Sequence, residues 1–273
     1  MSRLDATFAR LRATGERALV TYFTAGDPSL AVTGELVREA ARRGADVIEL
    51  GVPFSDPLAD GPVIQRAGAR ALAGGTSLPR VLEAVAEVRR DVDVPLVAMT
   101  YYNPVLAFGL AAFAAAAAKA GLDGVLVPDL PDEEAGPLRA QTDAAGVDLA
   151  QFAAPTTTGP RLRRIALGSR GFIYLVSLTG VTGERRELPP ELAAQIRALR
   201  RVTTKPVCVG FGIGTPAQVA MVGELADGVI VGSAIVRCVE DHADSPDLVR
   251  EVGNFIAALR SGLRRAEGSQ GVA

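Results

Sequence analysis

Histidine, lysine and cysteine are scarce in this chain of 273 residues, and each shortage removes a class of chemistry. The single histidine, His242, follows the last strand-like run, so a histidine-based metal site is not available. Lys119 ends an alanine-rich helical pattern and Lys205 precedes a strand-like run, so neither is placed for a Schiff base. Two cysteines, Cys208 and Cys238, are too few for a disulfide framework and fit a reduced compartment. A Cys–His nucleophile would have to come from Cys238 and His242, four residues apart in a late helix-like segment. Basic runs are missing too. The 29 basic and 31 acidic residues leave a net charge of −2, and no stretch could track a nucleic-acid backbone. The longest weakly polar segment, Leu106 to Ala118, is interrupted by Gly109 and followed by Lys119, which is too short to span a bilayer. The N-terminal segment lacks the apolar core of a signal peptide and reads as an amphipathic helix with Leu4, Phe8 and Leu11 on one face. A cytoplasmic protein with no membrane or nucleic-acid partner is expected.

What is present is a regular alternation. Apolar runs at Ala18–Thr24, Asp46–Leu50, Pro95–Tyr101, Gly124–Val127, Val147–Phe152, Phe172–Val176, Pro206–Gly210 and Gly228–Val231 read as eight strands. Between them lie helical patterns at Ser29–Arg43, Val63–Arg90, Ala107–Ala120, Glu133–Ala145, Arg161–Gly168, Pro190–Arg200 and Thr215–Val222, with Ser245–Ser261 at the end. Strict alternation forces parallel strands, and near-continuous Val/Ile/Leu runs imply burial on both faces. Eight such units predict a single (β/α)8 TIM barrel with an extra N-terminal helix, one domain over residues 1–273. A doubly wound open sheet is the main rival.

A barrel carries its active site at the C-terminal ends of the strands. If Ile48 and Leu50 pack under the helices, Glu49 faces the interior, either as a core carboxylate satisfied by a neighbour or as a general acid/base whose pKa burial has raised. Prolines 53, 57 and 62 with Gly61 fix the next loop, in which Asp60 is either a helix-capping aspartate or a second carboxylate over the barrel mouth. The glycines from Gly210 to Gly214, and Gly232-Ser233, follow the seventh and eighth strand-like runs, where barrels bind phosphate through backbone N–H groups. The small polar segment from Ser177 to Pro189 suits a lid or an ordinary surface loop.

Tyr22 to Pro28, the long block from Gly44 to Pro62, Gly180-Val181-Thr182-Gly183, Gly210 to Ile213 and Gly232 to Val236 together resemble the signatures of the tryptophan synthase α subunit. The long block is highly specific, whereas the glycine clusters are shared with many phosphate-binding barrels. The resemblance implies a retro-aldol cleavage of indole-3-glycerol phosphate to indole and glyceraldehyde 3-phosphate. It implies Glu49 as the acid/base, Asp60 near the indole N–H, and Tyr174 near the glycerol. Thr182 would hold Asp60, while Gly183, Phe211, Gly212, Gly232 and Ser233 would surround the phosphate. Indole would lie among Tyr22, Met99, Tyr101 and Val127. Family members often carry phenylalanine at the position of Tyr22 and leucine at that of Met99. No cofactor is implied in this chain. Pyridoxal phosphate belongs to a partner β subunit, expected in an α2β2 heterotetramer and contacting the loop around Asp56 and the segment after strand six.

Two rivals stay open at this point. Another phosphosugar barrel would lean on a strand-end lysine or cysteine, and this chain lacks one. A non-catalytic barrel would have lost Glu49 or Asp60, and both are present.

Overall fold

A computed structural model of the chain describes residues 1–154, 156–157, 159–176, 190–210 and 212–263. Eight parallel strands close into a barrel in sequence order: β1 Ala18–Thr24, β2 Val47–Gly51, β3 Leu96–Met99, β4 Gly124–Leu126, β5 Asp148–Ala153, β6 Ile173–Val176, β7 Val207–Gly210 and β8 Gly228–Val231. β1 pairs with both β2 and β8, which completes the ring. The open-sheet rival is thereby excluded. Ahead of β1 comes α1, Arg3–Thr14; α2, Leu30–Arg42, follows it. After β2 come α3, Pro62–Ala73, and α4, Leu78–Val88; after β3 come α5, Tyr102–Phe108, and α6, Leu110–Ala120. Then follow α7 Gly136–Ala145, α8 Gly159–Gly168, α9 Pro190–Arg200, α10 Pro216–Gly223, α11 Ser233–Asp241 and α12 Leu248–Leu263.

Three helical spans depart from the sequence expectation. The pattern over residues 63–90 is two helices, because Gly74 ends α3 and Gly75 turns the chain at φ +75°. The pattern over residues 107–120 breaks at Gly109, whose φ of +89° a side chain would disfavour. The two pieces, α5 and α6, meet at 97°, and among the described residues no single helix is long and apolar enough to cross a membrane. α11 runs from Ser233 to Asp241, where the sequence offered only a helix-like stretch around Cys238 and His242.

Strand alternation sorts side chains into two cores. Ile48, Leu50, Val125 and Val209 point outward into the apolar layer under the helices. Val20, Val47, Val97, Leu126, Phe172 and Ile230 point inward and fill the barrel. α1 closes the N-terminal end of that interior. Its start is fixed by a capping box between Ser2 and Asp5, and Leu4, Phe8 and Leu11 are buried against the barrel, with Phe8 and Phe172 rings 6.0 Å apart. At the same end, aspartates tie adjacent strands: Leu19 N–H donates to Asp46 (3.0 Å), Leu96 N–H to Asp123 (2.8 Å) and Val207 N–H to Asp227 (2.8 Å). The plugged end is structural, so chemistry is left to the other end.

Candidate active site

A cavity of about 560 Å³ opens at the C-terminal ends of the strands, walled by Tyr22, Glu49, Asp60, Met99 and Tyr174 and reaching Gly212, Gly232 and Ser233. A second cleft of about 480 Å³ lies at the plugged end beside α1, but Lys205 there is spent on the carbonyls of Ala166 (2.8 Å) and Leu167 (3.1 Å). The first cavity therefore holds the candidate site.

β2 sets Glu49 at its floor. Ile48 and Leu50 face the helices, so Glu49 faces inward beside Tyr22, its register partner on β1. It is 1 % exposed, and neither carboxyl oxygen has a hydrogen-bond partner among the described residues. A satisfied core carboxylate is thereby ruled out. Burial, helped by the negative charge of Asp60, pushes its pKa up to about 8. At neutral pH Glu49 is mostly a neutral acid, able to give a proton and then take one back.

Asp60 does not cap α3. The N-cap is Gly61, with no side-chain cap bond, and Pro62 opens the helix. The carboxylate instead reaches the cavity, where burial raises its pKa and a hydrogen bond from Tyr101 opposes that rise. Tyr101 also accepts the Ala59 N–H at 2.9 Å, and its ring packs on Phe54 at 5.3 Å. Tyr101 thus pins both ends of the Asp60 loop. α3 behind the loop is anchored as well: Arg70 makes two 2.8 Å bonds to the buried Asp27 and one of 2.9 Å to Glu240 on α11. Sequence reasoning missed that network, because its partners are far apart along the chain.

Two glycines make room for the tyrosines. A Cβ on Gly51 would fall on the Tyr22 hydroxyl, and one on Gly210 would fall on the Tyr174 hydroxyl. Tyr174 is buried at the cavity wall, 4.8 Å from the Phe152 ring, and burial beside Glu49 raises its hydroxyl's pKa well above the usual value.

The far end of the cavity is walled by backbone at Gly212, Gly214 and Gly232. Gly212 has φ +74°, and α11 starts after Gly232 with no side-chain cap. The N–H groups that open α11 and the helix dipole suit a phosphate there. Gly212→Val is expected to weaken glycerol phosphate binding at least about tenfold, since a branched residue resists positive φ, with free indole binding nearly unchanged. Calorimetric titration with both ligands checks this; equal losses would point to misfolding.

One expected site residue is misplaced. Val127 lies in the outer apolar layer, and its neighbour Leu126 faces the barrel interior. The alternation at the end of β4 turns Val127 away from the cavity. Asp56 is exposed on the strand-two loop, bonded to Ser55 Oγ at 2.5 Å. Thr182, Gly183 and Phe211 lie outside the described residues, as does the segment from Ser177 to Pro189.

Other chemistries find no support. Cys238 Sγ and His242 Nδ1 are 3.9 Å apart, but burial and nearby carboxylates push the Cys238 thiol up, against a thiolate nucleophile. Among the described residues no group of three His, Cys, Asp or Glu side chains could hold a metal.

The sequence profile of the tryptophan synthase alpha chain matches residues 8–260. The tryptophan synthase alpha chain of Geobacter sulfurreducens is 51 % identical, over 96 % of this chain and 99 % of that one. Its counterpart from Citrifermentans bemidjiense is 50 % identical over 96 % and 98 %. The crystal structure of tryptophan synthase subunit alpha from Legionella pneumophila superposes with a TM-score of 0.90 at 38 % identity, covering 96 % of this chain and 98 % of that one. A chain of Mycobacterium tuberculosis tryptophan synthase superposes with a TM-score of 0.89 at 36 % identity, covering 97 % and 99 %. With its closed barrel, its buried acid and this whole-length likeness, the chain belongs to the tryptophan synthase alpha chain family.

Proposed function

We propose that Glu49 carries the protons in the reaction of this lyase, with Asp60 and Tyr174 as the groups beside it. As a tryptophan synthase alpha chain, the protein cleaves indole-3-glycerol phosphate to indole and glyceraldehyde 3-phosphate in tryptophan biosynthesis. It works with a β subunit, which carries the pyridoxal phosphate; the alpha chain itself uses no cofactor.

The chemistry follows from what the cavity holds. Protonated Glu49 gives its proton to the ring carbon that bears the glycerol chain. Positive charge then develops on the indole ring, and the carboxylate of Asp60 accepts a hydrogen bond from the ring N–H and stabilises it. Glu49, now a carboxylate, takes the proton of the adjacent glycerol hydroxyl. The carbon–carbon bond breaks, its electron pair returns to the ring, and indole and the aldehyde leave with Glu49 protonated again. Tyr174 bounds the glycerol, Tyr22 and Met99 the ring, and Gly212, Gly232 and Ser233 the phosphate, with Thr182, Gly183 and Phe211 completing the site. The observation that carries this reading is the buried carboxyl of Glu49, without a hydrogen-bond partner among the described residues, in one cavity with Asp60. Incubating the pure chain with indole-3-glycerol phosphate tests it: indole should appear slowly without the β subunit and faster with it.

The whole chain, residues 1–273, is proposed to act as one barrel domain in the cytoplasm, assembled as an α2β2 heterotetramer. The partner is proposed to dock on the strand-two loop, where Leu58 is 91 % exposed and Asp56 stands in solvent. A partner that prefers the loop's catalytic conformation raises its population and hence the rate. A cognate β subunit is expected to accelerate cleavage at least about tenfold. Asp56→Ala should remove much of that acceleration and leave the slow solo rate intact. A variant that loses the solo rate but keeps its response would move Asp56 into the chemistry.

A further inference from the structure

Behind the Asp60 loop lies a small chamber that shares Tyr22, Asp60 and Ile64 with the wall of the main cavity. Its volume is about 10 Å³, and its walls include Tyr22, Thr24, Gly51, Phe54, Asp60 and Gln65. Most of that wall is apolar or backbone, yet three polar side chains converge on it. Thr24 is 4 % exposed, and its Oγ1 has no hydrogen-bond partner among the described residues. The Tyr22 hydroxyl lies against Gly51, with the Thr24 hydroxyl as its polar neighbour. Asp60 turns its backbone to Gln65, whose Nε2 donates to the Asp60 carbonyl at 2.9 Å.

A buried hydroxyl left unpaired costs free energy, and proteins satisfy such groups with another residue or with ordered water. A water site needs room for about one probe sphere and two to four polar partners. The chamber's volume of about 10 Å³ stands at the lower edge of that room, and Thr24, Tyr22 and Asp60 supply the polar partners.

We propose that this chamber is an ordered-water site, in which a single water joins Thr24 and Tyr22 to the carboxylate of Asp60. The Thr24 hydroxyl donates to the water, and the water donates to Asp60. The carboxylate is then held from two sides, by Tyr101 and by the water. Thr24 acts through the water and touches no substrate, so it is a positioning residue. The inference rests on the reading of Asp60 as the group that stabilises the charged ring.

A high-resolution crystal structure of the full chain tests the site directly. A water peak within hydrogen-bond distance of Thr24 Oγ1 and of a Tyr22 or Asp60 oxygen is expected. A map with no water at Thr24 overturns the proposal. In parallel, Thr24→Val should lower kcat on the order of tenfold, the scale of one hydrogen bond to a charged group, with KM within about twofold. Thr24→Ser, which keeps the hydroxyl, should restore most of that rate. If Thr24→Val lowers only Tm, or if Thr24→Ser is as slow as Thr24→Val, the hydroxyl does not act through a water on Asp60. Should Thr24→Val fail to fold, the wild-type map and Thr24→Ser still decide. Asp60→Asn, made alongside, separates the two readings: full turnover in that variant sinks the role of Asp60 and leaves the water visible.

Discussion

Glu49→Gln is expected to lower kcat at least about 100-fold, the lower end of what general acid–base catalysis supplies. Glutamine keeps the shape of the side chain but can neither release a proton to the ring carbon nor collect one from the hydroxyl. Both proton transfers in the proposed reaction pass through this one carboxyl, because among the described residues no other carboxyl on the cavity wall is as deeply buried. The loss should therefore fall on kcat, with substrate affinity within a few-fold. Steady-state kinetics with direct binding of indole-3-glycerol phosphate separates the two quantities. Near-normal indole release by the variant would end the assignment of Glu49 as the proton carrier.

The same substitution is expected to change how stability depends on pH. Glu49 titrates near 4.5 in an unfolded chain and at about 8 in the folded one. Between those values the unfolded chain has released its proton while the folded protein retains it. The folded state then binds more protons, so stability falls as pH rises. That contribution is fully present below the unfolded value and is lost by the time pH passes through the folded one. Each pKa unit corresponds to about 1.4 kcal/mol, which caps the loss from Glu49 at about 5 kcal/mol. Glu49→Gln removes the ionisation, so the variant should gain on the wild type as pH climbs from 5 to 8.5. Asp60 adds a term of the same sign, but it is present in both proteins and cancels in the comparison. Urea unfolding at the two pH values measures the difference, provided the m-values agree. Parallel stability profiles for the two proteins would mean that Glu49 is ionised in the folded state across the whole range.

The eight strands were legible because each is a short, largely apolar run with turn residues close by, and the interior phase of β2 followed from Ile48 and Leu50 flanking Glu49. The helices were less so. An apolar period that runs past Gly74-Gly75 or Gly109 looks continuous in sequence, although backbone geometry at those glycines ends the helix. The same limit explains Val127. A three-residue strand such as β4 carries too little alternation to fix which of Leu126 and Val127 faces inward. Glu49 and Asp60 could be named from strand phase and loop prolines, but their state could not. That Glu49 has no hydrogen-bond partner among the described residues, that Gly61 rather than Asp60 caps α3, and that Tyr101 holds the loop are facts of tertiary proximity. Gly51 and Gly210 had a sequence signal, one glycine at the end of each strand, yet the tyrosines they accommodate come from neighbouring strands.

The account turns on Glu49 being a neutral acid at physiological pH. Its carboxyl carbon can be followed by NMR in protein labelled with ¹³C at glutamate side chains, with the Glu49→Gln variant identifying the resonance. Titrated from pH 4 to 10, that resonance should move with a midpoint near 8. A midpoint near 4.5, the ordinary value for glutamate, would leave Glu49 charged at neutral pH and contradict its role as the acid that starts the cleavage.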